Sequence, residues 1–316
     1  MSLKYIFKKI IFGIMTLLIT VFLVFAAFAI IPGDPALNKL GNNATPESVA
    51  ALRESMGLNK PFMERFSDYI ISGIKGDFGV SYSYNIPVSE LVSEKIPITL
   101  FLSVISFVLT IIIGIILGVT SAKYDGRAVD KTIGISNQIV MAIPSFFLGI
   151  LISYVFGLIL KWFVPGGYVS YNVNFGAFLG YLIYPAVAIA IPKIAMVSRL
   201  LKSSIMTESR KDYVRTAYSR GNNTSSVLYR HVLKNAIIPV VTFLGMVLTD
   251  MIAGSIVIEQ VFNIPGLGKL LLTSIHNRDY PVVQFIILFI ALLVLVVNFI
   301  TDMAYHVIDP RVRVHE

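Results

Sequence analysis

Apolar residues are concentrated in long blocks along this chain, and six blocks are long enough to cross a lipid bilayer. A spanning α-helix needs about 20 mainly apolar residues. The predicted spans are Ile10–Ile31, Ile98–Ala122, Ile133–Leu160, Ala177–Leu200, Ile238–Ile258 and Val282–Val307. The first block follows several lysines, as a signal peptide does, but its apolar run is too long for a typical signal core and predicts a retained helix. The pattern therefore predicts an all-α membrane protein with six transmembrane helices.

Polar segments between the blocks indicate the orientation. The segment 199–235 contains eight Lys and Arg residues, whereas 161–176 contains one and 259–280 contains two. Basic residues near span ends favour the cytoplasmic side, so we expect segment 199–235 and both termini to be cytoplasmic. The net charge of +8 then reflects membrane topology, and no nucleic-acid partner is implied.

The long polar segment after the first span is predicted to form a small folded cap outside the cell. Thr45 is a candidate N-cap with Pro46 at the first helical position, although Ser48 stands where a full capping box has Glu or Gln. Gly57 is positioned to end this helix. A second amphipathic helix is predicted over 61–74, followed by a turn-rich stretch. We therefore divide the chain into residues 1–31, an extracytoplasmic cap 32–97, and a five-helix core 98–316 with a cytoplasmic loop at 199–237.

Composition excludes several kinds of chemistry. Hydrophobic residues make up 56% of the chain and charged residues 14%, against about 25% charged in soluble domains. The absence of cysteine excludes disulfides, thiolate metal sites and a cysteine nucleophile, and the four histidines have no metal-site spacing. No G-x-x-x-x-G-K-[ST] phosphate loop occurs, so we expect no ATP, metal or other cofactor to be bound by this chain itself.

The basic cytoplasmic loop is predicted to be helix, turn, helix. Residues Ser203–Ser219 are compatible with a helix, Gly221 begins a break, and Thr224 is a candidate N-cap for a helix over Ser225–Ala236. One interpretation is a solvated positive surface that only fixes topology. The other is a docking element for a soluble partner, because aromatic and Arg side chains are enriched at interfaces. The residues that favour docking are Tyr213, Val214, Arg215 and Tyr218.

A carboxylate within the fifth span is the most distinctive intramembrane residue. Asp250 lies roughly 16 Å from Pro239 along a helix, near the middle of a ~30 Å hydrocarbon core. It is expected to contact either the transported solute or a polar group of the bundle such as Asn298. Lys193 and Asp302 are interpreted as structural residues nearer the cytoplasmic end. The small residues Gly114 and Gly118 predict close helix packing, within the subunit rather than between subunits.

Sequence motifs along nearly the whole chain resemble one family. The segment "RTAYSRG", Arg215–Gly221, resembles the start of the EAA loop of bacterial ABC importer permeases, with Pro239 at the distance found in the peptide and nickel branch. Further motifs of that branch occur in order on the six-span chain. They are "IIPGDP" (30–35), "GDFGVSY" (76–82), "IPSFFLG" (143–149), "RHVLKNAIIPVVT" (230–242), "VIEQVFNIPGLG" (257–268) and "DPRVR" (309–313).

The resemblance implies a type I permease fold and a non-enzymatic role in ATP-driven import of peptides or related small solutes. It implies that the EAA loop is a coupling helix held by an ATPase, with Asp212, Tyr213, Arg215, Thr216, Ala217 and Gly221 as the coupling residues. The implied partners are a second permease, two cytoplasmic ATPase subunits that bind ATP and Mg, and an extracytoplasmic solute-binding lipoprotein. The implied location is the bacterial cell membrane.

Two alternatives to peptide import stay open at the level of sequence. Nickel chelates, haem and related solutes are carried by importers with the same motifs. A stand-alone secondary transporter or channel is the rival of a different class, and it predicts internal repeats or broken helices around a site at the membrane midplane.

Overall fold

The computed structural model describes residues 3–30, 33–41 and 44–308, and this part of the chain is mostly helical, without β-strands. The predicted motif at 309–313 and the C-terminal tail lie outside the described residues. The helices are α1 (Leu3–Ile30), α2 (Pro35–Leu40), α3 (Pro46–Ser55), α4 (Phe62–Ile74), α5 (Val88–Ser93), α6 (Ile96–Lys123), α7 (Ala128–Met141), α8 (Ser145–Ile152), α9 (Phe175–Glu208), α10 (Asp212–Ser219), α11 (Thr224–Ser226), α12 (Leu233–Ala236), α13 (Ile238–Val261), α14 (Leu267–His276) and α15 (Tyr280–Ile308). Two π-helical segments, Ser153–Ile159 and Val227–Val232, extend α8 and join α11 to α12.

Five described helices are long and apolar enough to cross a membrane: α1, α6, α9, α13 and α15. The third predicted span, Ile133–Leu160, is wrong as one straight helix. It consists of α7 and the segment 145–159, which meet at an angle of 99°, and the described residues contain six spans if this bent pair is counted as one. Pro144 explains the break, because it supplies no N–H and disfavours helical backbone at the preceding residue.

The structure divides into two compact units, which we describe separately. Among the described residues, the first comprises 100–264 and 296–308 and is organised around α9, which packs against α7, α8 and α13. Close packing of α6 on α9 depends on glycine. A Cβ atom on Gly114 would lie 2.9 Å from Val197, and one on Gly118 would lie 2.9 Å from Leu201. The predicted packing of these glycines within the subunit is confirmed.

The second unit comprises residues 2–99 and 265–295. The predicted cap helices are present as α3 and α4, and Phe62 and Phe66 of α4 make edge-to-face contacts with Phe25 of α1. The capping box of α3 is complete, contrary to expectation. Thr45 accepts from the Ser48 amide while the Ser48 hydroxyl accepts from the Thr45 amide, because a serine hydroxyl can replace the usual carboxylate.

A buried carboxylate joins two segments of this second unit. Asp279 has no exposed surface. It accepts hydrogen bonds from the Ser81 hydroxyl at 2.5 Å and from the backbone amides of Tyr82 at 2.9 Å and Ser83 at 3.1 Å. The loop after α14 is thereby fastened to the aromatic turn that follows α4. Sequence reasoning did not single out this residue.

Candidate functional site

The loop between α9 and α13 carries a short amphipathic helix, α10. Its inward face is formed by Val214 and Ala217, which are 2% and 5% exposed. These side chains belong to a helix that packs on the π-helical segment Val227–Val232. The outward face presents Asp212, Arg215 and Thr216, all of them exposed. The small residue that matches the third letter of the EAA motif, Ala217, is therefore a packing residue of the loop.

Tyr213 is a positioning residue. Its hydroxyl donates to Glu208 at 2.8 Å and accepts from the Asn235 amide at 3.2 Å, so it links α9, α10 and α12. Burial raises the pKa of the Tyr213 phenol, which keeps the hydroxyl protonated and able to donate. Glu208 also pairs with Lys211 at 2.6 Å. Tyr213 is half-buried and Val214 is buried, so on α10 the side chains of Arg215 and Tyr218 are the exposed members of the predicted docking set, and the docking role of all four stays a prediction.

The turn after α10 has a backbone conformation that favours glycine at position 221. Gly221 has φ of +81°, in the left-handed region where side chains with a Cβ are strained, and it ends the helix where the sequence predicts a break. The Asn222 amide donates to the Ala217 carbonyl at 3.0 Å and satisfies one of the last carbonyls of α10.

Two details of the loop were predicted wrongly. The helix over Ser203–Ser219 is interrupted at 209–211, between the end of α9 and the start of α10. The N-cap of the following helix is Asn223 rather than Thr224, because the Asn223 side chain accepts from the Ser226 amide at 2.8 Å.

The intramembrane carboxylate is paired with a lysine. Asp250, near the midpoint of α13, contacts the ammonium group of Lys193, which lies near the midpoint of α9. The expected contact of Asp250 with Asn298 is replaced by this ion pair, since an opposite charge stabilises a carboxylate better than a neutral amide does. The location of Lys193 near the cytoplasmic end was also wrong, because α9 continues to Glu208.

Asp250 belongs to an exposed line of side chains on α13, which we call the α13 stripe. Its members recur at helical spacing: Met246, Asp250, Ala253, Val257 and Gln260. The Asp250 side chain is 62% exposed. Other exposed lines are purely apolar, for example Val104, Val108, Ile112 and Ile116 on α6. An exposed carboxylate at this depth is strongly disfavoured against lipid, so the α13 stripe faces water or protein, whereas the apolar lines suit lipid.

Asn298 is exposed on α15, three residues before Thr301. Thr301 lies against Gly245 of α13, where a Cβ atom would be 2.2 Å from the Thr301 hydroxyl oxygen. This contact brings α15 against α13 five residues before Asp250. No hydrogen bond joins Asn298 and Asp250.

A polar cluster near the start of α7 was not predicted. Asp130 is buried and accepts from the Ser121 hydroxyl at 2.6 Å and from the Gly126 amide at 2.9 Å. Lys202 of α9 pairs with Asp130 at 2.6 Å and with Asp125 at 3.1 Å. A cavity of about 530 Å³ lies beside this cluster and is also lined by Lys131 and Arg199.

The long apolar helices and the basic loop define a multi-pass helical membrane protein. A short surface helix lies in its basic loop, and an ion pair with a largely exposed carboxylate joins two of its long apolar helices. Among the described residues, no group of His, Cys, Asp and Glu side chains could hold a metal ion.

Comparison with known proteins identifies the family. Residues 110–314 match the model of the binding-protein-dependent transport system inner membrane component, and residues 2–103 match the corresponding N-terminal model. The chain belongs to this family of ABC importer permeases, whose members are transport components and not enzymes.

The match to individual relatives extends over the full length. A probable peptide ABC transporter permease of Sinorhizobium fredii is 34% identical over 98% of this chain and 99% of the relative. An oligopeptide transport system permease of Bacillus subtilis is 35% identical with the same coverage. A glutathione transport system permease of Salmonella typhi is 34% identical, again over 98% and 99%. The recognition made from the motifs, including the peptide branch and the type I permease fold, is confirmed.

Proposed function

We propose that this chain lines the path of an ATP-driven importer for peptides or related small solutes and transmits the motion of cytoplasmic ATPases through α10. The observation that carries the proposal is the α13 stripe, which is an exposed, charge-bearing surface on a transmembrane helix. A stripe of this kind fits a path for polar solutes between two permease subunits. Asp250 and Asn298 are the residues of the chain that we assign to this path.

The proposed coupling surface is the outward face of α10. Asp212, Arg215 and Thr216 would contact the ATPase, while Tyr213 and Ala217 hold the helix in place and Gly221 sets the following turn. The ion pair between Asp212 and Arg215 spans 3.8 Å and both side chains are more than 80% exposed, so it adds little stability and leaves Arg215 free to bind a partner.

The proposed orientation has both termini and the α10 loop in the cytoplasm and residues 32–97 outside the cell. The distribution of Lys and Arg supports it. The cap would then face a solute-binding lipoprotein, and a second permease and two ATPase subunits would complete the importer.

Photo-crosslinking tests the coupling surface. A benzoylphenylalanine at Arg215 or Tyr218, both exposed on α10, is expected to crosslink to an ATPase subunit in the assembled importer. The same group at Asn172, exposed in the loop before α9, serves as the control and should give no ATPase crosslink. Equal ATPase crosslinking from all three positions, or none from α10, would contradict the assignment.

The solute is proposed to be a peptide, because the relatives named above are described as permeases for peptides, oligopeptides or glutathione. Import assays with dipeptides, oligopeptides, glutathione, a nickel chelate and haem would separate the members of this panel. The break at Pro144 is a feature that the rival class of secondary transporters also predicts, and family membership disfavours that rival.

A further inference from the structure

We propose that Lys193 and Asp250 form a paired-charge site for zwitterionic solutes, in which Asp250 receives an ammonium group and Lys193 a carboxylate. The inference rests on the proposed function, because it assumes that the α13 stripe lines the solute path. It deepens that function by naming the chemical feature that the path selects. A peptide with free termini carries both groups.

The pair is built unlike one that serves only to hold helices together. A structural ion pair in a membrane interior is normally completed by further hydrogen bonds and enclosed by the bundle. Here the Asp250 side chain is 62% exposed and that of Lys193 is 20% exposed. Among the described residues, neither side chain forms a hydrogen bond other than the one between them.

Charge balance explains why a zwitterion suits the site. Without solute, the two side chains neutralise each other and leave no unpaired charge in the membrane. A zwitterion can replace this contact with two new ones, so that every charge is paired again. A solute with only one charged end would leave Lys193 or Asp250 without a partner at a depth where an unpaired charge is strongly disfavoured.

The order of events follows from exposure. Asp250 is the more accessible partner, so the ammonium end of the solute would reach it first. Lys193 is then released to bind the carboxylate. The other members of the α13 stripe, Met246, Ala253, Val257 and Gln260, carry no charge, so discrimination by charge along this stripe depends on the pair.

The test uses the complete importer with its binding protein in proteoliposomes. Import of one radiolabelled dipeptide is compared in three forms: free, N-acetylated and C-amidated. The affinities of the isolated binding protein for the three forms are measured by calorimetry, because that protein has its own preference. The quantity of interest is the import preference of the complex beyond the preference of the binding protein.

For the wild type, we expect import of the free dipeptide to exceed import of each blocked form by about tenfold more than the affinities of the binding protein alone would give. Lys193→Met should abolish the preference over the amidated form and keep the preference over the acetylated form. Asp250→Asn should do the reverse. Lys123→Met, at the exposed end of α6, is the control and should behave as wild type. Unchanged preferences in both single variants, or equal loss of both preferences in each, would overturn the proposal.

A double variant provides the test if the single variants assemble poorly. Lys193→Met with Asp250→Leu leaves no unpaired charge, and such replacements of ion pairs by apolar residues are often tolerated. The double variant should import the three dipeptide forms in the ratios set by the affinities of the binding protein. Import of the three forms in the wild-type ratios would overturn the proposal. Failure of the wild-type importer to import any form would instead refute the proposed function, so the two failures are distinguishable.

Discussion

Asp279→Ala should release the aromatic turn of the cap from the loop after α14. The carboxylate is fully buried and accepts three hydrogen bonds, from the Ser81 hydroxyl and from the amides of Tyr82 and Ser83. Truncation leaves the buried Ser81 donor without a partner, at about 1–3 kcal/mol, and removes two charge-assisted bonds to half-buried amides, at about 1 kcal/mol each. We therefore expect a local destabilisation of roughly 3–5 kcal/mol.

Hydrogen exchange followed by mass spectrometry measures this effect directly. A loss of about 3 kcal/mol corresponds to roughly a hundredfold faster exchange, since 1.4 kcal/mol is a factor of ten. The acceleration should be confined to peptides covering residues 80–86. Asp279→Asn should lie between wild type and Ala, because an amide keeps only one acceptor oxygen.

The matched control is Asp77→Ala in the same turn. Asp77 accepts a single bond, from the Gly79 amide at 2.9 Å, at an exposed position. Its removal should change exchange less than about fivefold, since exposed bonds contribute little. Equal exchange in Asp279→Ala and wild type, or equal effects of the two Ala variants, would refute the conclusion that Asp279 holds the turn after α4 to the loop after α14.

Three further predictions concern the turn after α10, helix packing and orientation. Gly221→Val should insert normally but lower transport and substrate-stimulated ATP hydrolysis, and Gly221→Asn should have a milder effect. Backbone strain is the cause, because φ is +81° and a Cβ atom would meet no other atom within 4 Å. Wild-type transport by the Val variant would refute the coupling assignment. Gly118→Val should lower the melting temperature and the yield of the complex, because its Cβ would lie 2.9 Å from Leu201. Gly254→Ala is the control and should change neither, since its Cβ would meet no atom within 4 Å. Equal melting temperatures of the two variants would contradict the packing of α6 on α9. Cysteines at Asn59 and Asn172 should react with an impermeant reagent from outside, and one at Arg210 only after permeabilisation; outside labelling at Arg210 would reverse the orientation.

Much of the fold was predictable from the sequence because membrane spans depend on length and hydrophobicity alone. Three of the five long helices agree with the predicted blocks within three residues at each end, whereas α1 begins seven residues earlier and α9 ends eight residues later than predicted. The break at Pro144 was missed because apolar residues continue across it without a polar signal. Hydropathy therefore located the third span but not its change of direction.

The site was predictable only in part, since it depends on contacts between distant segments. Asp250 was recognised from its depth in one helix, but its partner Lys193 lies on another helix, 57 residues away. The role of Asp279 could not be predicted for the same reason, because its partners lie almost 200 residues earlier in the chain. Within α10, an eight-residue pattern was too short to show that Tyr213 and Val214 face inward.

ATP-dependent uptake tests the central claim most directly. The chain would be reconstituted with the second permease, the ATPases and the binding protein in proteoliposomes, and uptake of a labelled peptide measured with ATP or with a proton or sodium gradient. We expect uptake that requires both ATP on the ATPase side and the binding protein on the opposite side. Uptake by this chain alone, driven by an ion gradient without ATPases, would contradict the central claim.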